Sequence, residues 1–240
     1  MSWPPAGPAA APARLPFRQS PSQFSRVLPH AGRMSHEQQW DDRYAESHRI
    51  WSGNPNVALV AEVAGLTPGR ALDLGCGEGA DAVWLARQGW QVTAADISTV
   101  ALGRAGSHAA EAGVSVDFQH HDLTQTFPEG TYDLVSAQFL HFWEDFDREK
   151  ILRRAADAVA PGGTLLIEGH MDHGPFRHHE GHDQHMHFPA PDEVIAALDL
   201  GDGWEVLAAA VHPREQAGPD DELHTRTDST VTLRRRVPPA

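Results

Sequence analysis

From Ser35 onward the chain alternates short apolar runs with longer segments of helical spacing. Runs at 71–74, 92–95, 116–119 and 132–139 have strand length, while 80–88, closed by Gly89, and 99–112 carry helix-compatible spacing. A further helix over 148–159 is expected to stop at Pro161-Gly162-Gly163, and 164–168 to form the fifth strand. Short strands alternating with helices predict crossover connections, hence an α/β fold: a doubly wound, mostly parallel sheet in a three-layer architecture. Ser35 followed by Gln38 predicts a helix start, with Trp40, Tyr44 and His48 on that helix and a second helix after Pro55. At the other end, strand-like 204–211 and 230–233 flank a polar loop without a helix, which predicts an antiparallel hairpin at the sheet edge.

Composition sets bounds on this picture. Residues 1–33 hold seven prolines and four arginines but no acidic residue, and show no periodicity, so they form a disordered extension outside a single domain over 34–240. No apolar run approaches the roughly 20 residues needed to cross a bilayer, and no secretory signal is apparent, so a cytoplasmic protein is expected. The net charge of −14 disfavours nucleic acid or anionic lipid as a partner and favours a small-molecule substrate. Cys76 is the single cysteine, which excludes an internal disulfide. Oligomeric state leaves no signal.

The candidate chemistry gathers at Leu72-Asp73-Leu74-Gly75-Cys76-Gly77-Glu78-Gly79, where the first strand turns into its helix. Glycines there allow tight turning and close ligand approach beside a helix N-terminus. Gly75, Gly77 and Ala80 also satisfy the relaxed dinucleotide pattern, so an NAD-dependent oxidoreductase is one alternative. Two acidic residues favour a cation instead. Asp73 lies within the strand, where a carboxylate needs turn amides or a cationic ligand, and the charge of Glu78 would repel a diphosphate. Asp96 ends the second strand, placed to bond ribose hydroxyls of either nucleoside cofactor.

The string 73–79 resembles class I S-adenosylmethionine-dependent methyltransferases, as do Asp96, His121-Asp122-Leu123, Tyr132-Asp133-Leu134-Val135 and the Pro161-Gly162-Gly163-Thr164-Leu165 turn. Trp40-Asp41-Asp42-Arg43-Tyr44 and Trp51-Ser52-Gly53-Asn54-Pro55-Asn56 are similar to the small tellurite-resistance and thiopurine-like group within them. The resemblance implies a Rossmann-like seven-stranded sheet, S-adenosylmethionine as cofactor, and methyl transfer to a small-molecule acceptor. It further implies that Gly75, Cys76, Gly77 and Gly79, with Asp73, line the methionine part of the cofactor. Asp96 would hold the ribose, Ile97 would pack on the adenine, Asp122 with Leu123 would meet the adenine edge, and Gln138 would contact the methionine end.

Aromatic faces favour a sulfonium, which makes Tyr44 and Trp51, in a helical lid over 34–66, and Trp143 candidate lid or wall residues, although Trp143 is expected in the core. A base is needed only if the acceptor must lose a proton. His141, just past the fourth strand, is the first candidate for it, followed by Glu168 and His170 at the end of the fifth. Seven histidines crowd a loop over 171–190 together with its flank. Their spacing fits no closed tetrahedral motif, so a mobile crevice loop is expected, with a non-catalytic metal-binding protein as the remaining alternative.

Overall fold

The apolar runs do become strands because their alternate residues enter two different cores. The computed structural model describes residues 34–140, 147–172, 187–217 and 222–239, all within the unit Met34–Ala240. The extension 1–33, most of the histidine-rich loop, His141 and Trp143 lie outside the described residues.

The elements run α1 His36–Ala45, α2 Val57–Val63, β1 Arg70–Leu74, α3 Ala80–Arg87, β2 Gln91–Asp96, α4 Thr99–Ala112, β3 Asp117–His120 and β4 Tyr132–Gln138. After these come α5 Arg148–Asp157, β5 Val159–His170, α6 Pro191–Leu198, β6 Trp204–Ala217 and β7 Leu223–Arg235. They build a seven-stranded sheet of order β3-β2-β1-β4-β5-β7-β6, in which β1 to β5 are parallel and β7 runs antiparallel to both neighbours. The strand order reverses beside β1, so the carboxyl ends of β1 and β4 bound a crevice of the kind in which such sheets hold ligands.

Alternation along each strand sorts residues between the layers. Leu72, Leu74, Val135, Leu165, Ile167, Val231 and Leu233 pack with Ile151, Leu152 and Ala155 of α5 and Val194 and Leu198 of α6. On the opposite face Ala71, Val92, Ala94, Leu134 and Leu166 meet Leu59 and Val63 of α2 and Ala82 and Leu85 of α3. This second face turns polar toward the carboxyl ends of the strands: Leu134 gives way to Ser136 and Gln138, and Leu166 to Glu168, all of them buried.

Several expected boundaries move. α5 ends at Asp157, and Val159 already pairs with Tyr132, so Pro161-Gly162-Gly163 lies inside β5, where the register with β4 shifts. The hairpin strands are longer than expected, and β7 sits between β5 and β6, so only β6 forms the edge. Helix α1 stops at Ala45, which leaves His48 beyond it. Helix α6 was not anticipated, although Pro191 at its first turn and Glu193 accepting from the Ala190 amide at 2.7 Å are ordinary start signals.

Leu165 is fully buried between β4 and β7. Leu165→Ala is expected to lower the unfolding free energy in urea by about 2–5 kcal/mol.

Candidate active site

The turn after β1 is built by the chain's own amides. Gly75 N and Cys76 N donate to Ala95 O at 2.8 and 3.0 Å, Gly79 N donates to Cys76 O at 2.9 Å, and Gly77 N donates to Asp96 Oδ2 at 2.8 Å. Gly77 has φ +52, and a Cβ there would stand 2.7 Å from the Tyr44 hydroxyl, so glycine is required by both conformation and space. Those four amides are therefore engaged within the protein rather than turned toward a ligand.

Four carboxylates surround the turn. Asp73, Glu78, Asp81 and Asp96 are 2%, 4%, 6% and 7% exposed. The charge of Glu78 is not free to repel a ligand, as its sequence position suggested. It pairs with Arg104 Nη1 at 2.8 Å and accepts from the amides of Ile50 and Trp51 at 3.2 and 3.1 Å. Asp81 accepts from the amide and side chain of Asn56, each at 2.7 Å. Asp96 accepts from Gly77 and Ser98. Asp73 differs, because its Oδ2 has no partner. Burial, reinforced by the charges of Asp81 and Asp96, pushes the Asp73 carboxyl well up from its ordinary value, and burial also raises Asp96.

Gln138 ends β4 two residues beyond Ser136, the register partner of Asp73. Its Nε2 donates to Ser136 Oγ at 3.1 Å, while the buried Oε1 has no partner. Two orphaned acceptor oxygens thus lie on one sheet face beside an acidic turn, an arrangement matched by a cationic ligand carrying N–H donors.

The segment ahead of β1 is stitched over this turn. Asp41 accepts from Ser98 Oγ at 2.6 Å, Thr99 Oγ1 at 3.0 Å and Val100 N at 3.2 Å, capping α4. Arg104 Nη2 donates to the carbonyls of Tyr44 and Ser47, both at 2.7 Å. Trp51 Nε1 donates to the Tyr44 hydroxyl at 3.1 Å. Tyr44 is buried and Trp51 half exposed, and burial raises the Tyr44 phenol.

The remaining expected residues divide. Ile97 is half-buried past β2, and its carbonyl meets His120 Nε2 at 2.8 Å. His121 N donates to Asp96 O, which brings the following turn to the site. The Asp122 carboxylate, however, is taken up by Thr124 N, Thr124 Oγ1 and Gln125 Nε2, a local turn cap, and Leu123 is buried in the core. His170 Nδ1 is tied to Asp228 Oδ1 at 2.8 Å. Sequence reasoning passed over Asp41, Asp81, Asn56 and Arg104, whose partners are far away along the chain, and the polar residues of β6 and β7.

Fold and site together define a doubly wound α/β domain with buried carboxylates around the turn after β1. Residues 71–163 match the family model of the methyltransferase domain. The ubiquinone biosynthesis O-methyltransferase of Burkholderia multivorans is 35% identical over 133 residues, covering 53% of this chain and 56% of that protein. That of Pseudomonas aeruginosa is 33% identical over 132 residues, with the same coverage, so the match spans little more than half the length of these relatives. Among solved structures, a chain from work on converting a disulfide bond into a thioacetal group during echinomycin biosynthesis superposes with a TM-score of 0.64 at 26% identity, covering 83% of this chain and 93% of that one. TehB from Haemophilus influenzae gives 0.62 at 18% identity, covering 82% and 66%, a likeness of fold. Residues 71–163 thus resemble a methyltransferase domain, set in a fold that the chain shares with these solved structures.

Arg104→Met would leave the buried Glu78 carboxylate without its cation, and is expected to destabilise the protein by about 3–5 kcal/mol. Adding Glu78→Gln should restore most of the loss, a recovery read from urea unfolding of the single and double variants.

Proposed function

We propose that this chain binds S-adenosylmethionine at the turn Asp73 to Gly79 and transfers its methyl group to a small-molecule acceptor. The observation that carries this reading is the pairing of a turn whose amides are already engaged with orphaned, buried oxygens on Asp73 and Gln138. A cationic amino-acid nucleoside brings N–H donors to those oxygens; the diphosphate of a nicotinamide dinucleotide would bring only acceptor oxygens to them.

When bound, S-adenosylmethionine supplies a methyl carbon activated by a sulfonium sulfur. Gly75, Cys76, Gly77 and Gly79 shape the floor under its methionine part, where Asp73 and Gln138 accept N–H donors. Asp96, though engaged by two amides, keeps lone pairs for the ribose hydroxyls, and Ile97 packs against the base. Asp122 and Leu123 stand next to that base through the His121 link to Asp96, with the Asp122 carboxylate kept in its turn. Tyr44 and Trp51 place aromatic faces and a shared hydroxyl above Gly77, and residues 34–66 act as a cover that keeps water from the transfer. His141 is a candidate proton acceptor that lies outside the described residues. The names of the curated relatives support oxygen as the acceptor atom.

Calorimetry with S-adenosylhomocysteine and NAD side by side tests the reading. Binding of the first alone is expected, and binding of NAD alone overturns it. Asp96→Asn is expected to weaken S-adenosylhomocysteine binding about tenfold or more, and Gly77→Ala to abolish it. Because a cation stabilises the ionised form of Asp73, whose carboxyl is raised when the site is unliganded, S-adenosylmethionine binding should release protons and strengthen as pH rises. Heats measured in buffers of different ionisation enthalpy read that release, and Asp73→Asn should reduce it.

A further inference from the structure

Beyond the crevice, the second sheet face carries a buried polar network across β5, β7 and β6. Glu168 is 1% exposed at the carboxyl end of β5, in register with Gln138 on β4 and Thr230 on β7. Its Oε1 lies 3.0 Å from His212 Nε2 of β6, and its Oε2 accepts from the Thr230 hydroxyl. Thr230 Oγ1 lies 2.9 Å from the same His212 nitrogen. Because the Thr230 hydrogen goes to Glu168, the network assigns the imidazole hydrogen to Nε2, shared between the two oxygens. Nδ1 then carries the lone pair. It has no hydrogen bond among the described residues, and the His212 side chain is 35% exposed.

This imidazole is oriented by a buried carboxylate at one nitrogen and open at the other, as a general base requires. His170, by contrast, points Nδ1 at Asp228, which also takes Arg214 Nε, and its ring stacks on Phe139 at 4.4 Å. The position of His212 suits substrate access. Beyond the His170–Asp228 pair the hairpin continues through five more residue pairs, Pro213–Thr227 to Ala217–Leu223, so His212 stands at the root of a ribbon that overhangs the carboxyl edge of the sheet.

We propose that His212, held by Glu168 and Thr230, is the catalytic proton acceptor for a methyl acceptor bearing a weakly acidic hydroxyl, a phenol by chemical class. The proposal rests on the methyl-transfer reading. The hydroxyl proton passes to Nδ1 and the oxygen's electron pair forms the bond to the methyl carbon. The sulfur–methyl bonding pair stays on sulfur, which leaves a methyl ether, S-adenosylhomocysteine and an imidazolium facing the Glu168 carboxylate. That proton then leaves to water. A carbon acceptor or an already nucleophilic amine would give this base no role before attack.

The electrostatics agree. Burial pushes the Glu168 carboxyl up to about 8, against the Thr230 hydrogen bond, with Asp228 and Glu62 raising it and Arg214 lowering it. The carboxylate form of Glu168 that accepts the Nε2 hydrogen therefore grows as pH rises through about 8.

The test uses the complex with S-adenosylhomocysteine and nitrophenols of graded acidity as probes, since visible absorbance reports the ionised phenol. In the wild type, bound nitrophenol is expected to ionise at least about one pH unit below the free compound, a tenfold shift in its equilibrium. In His212→Gln the midpoint should return to the free value, with S-adenosylhomocysteine affinity within about twofold of wild type. Thr230→Val, which keeps both Glu168 and His212, should give an intermediate shift, so the result does not hang on one variant's folding. An equal midpoint in wild type and His212→Gln, or no nitrophenol binding to the wild-type complex, overturns the proposal. Failure of S-adenosylhomocysteine itself to bind would instead overturn the cofactor reading on which it rests.

Discussion

Four buried carboxylates around one turn are the constraint on which the rest of this structure depends. Removing a carboxylate from water costs several kcal/mol unless hydrogen bonds or a cation replace the lost solvation. Three of the four are answered from within: Glu78 by Arg104 and two amides, Asp81 by Asn56, and Asp96 by Gly77 and Ser98. The donors for two of them come from residues 50–56, so satisfying the turn also fixes the path of the segment ahead of β1. The hydrogen bonds that satisfy Glu78 and Asp81 also tie that segment to the turn. Asp73 alone among the four keeps an unanswered oxygen.

The second face of the sheet obeys the same logic at larger scale. A parallel strand buried on both sides normally reads as a continuous apolar run. Here β4 and β5 keep their apolar residues on the face under α5 and α6, while every second residue on the other face becomes polar toward the carboxyl ends. Ser136, Gln138, Glu168, Thr230 and Asp228 are buried rather than solvated. A sheet that places acceptors and ionisable groups there departs from its own packing rule only where the fold brings ligands.

Much of this was legible in the sequence because it is local. The glycine turn, the strand ending at Asp96, helix α4 and the crossover rhythm each depend on neighbours within a few residues, so spacing and turn chemistry suffice. Helix α5 and strand β5 were misjudged at their junction because Val159 pairs with Tyr132, a tertiary contact that overrides the turn propensity of Pro161-Gly162-Gly163. Glu78 was legible as a charge but not as a compensated one, since Arg104 lies a whole crossover away. His212 gave no signal at all beyond its place in an apolar run, because its partners on β5 and β7 are 44 and 18 positions off. The alternation in Leu134-Val135-Ser136-Ala137-Gln138 was the clue that could have pointed there: polar residues at every second position of a strand otherwise buried on both faces.

In the proposed methyl transfer, the two ends of the polar face divide the labour. Near β1 the unanswered oxygen belongs to Asp73, whose carboxyl is pushed up by burial, so a cationic donor would stabilise its ionised form and lose that attraction once its own charge is gone. Across the sheet, the Glu168 carboxylate of β5 is already joined to the His212 imidazole of β6, and in the proposed reaction it faces the proton that the imidazole takes up. Gln138 and Glu168 are register partners on adjacent parallel strands, roughly 4.8 Å apart in the hydrogen-bonding direction. Gln138 of β4 and Glu168 of β5 thus stand on neighbouring strands of one sheet, while His212 meets Glu168 from β6, on the far side of β7.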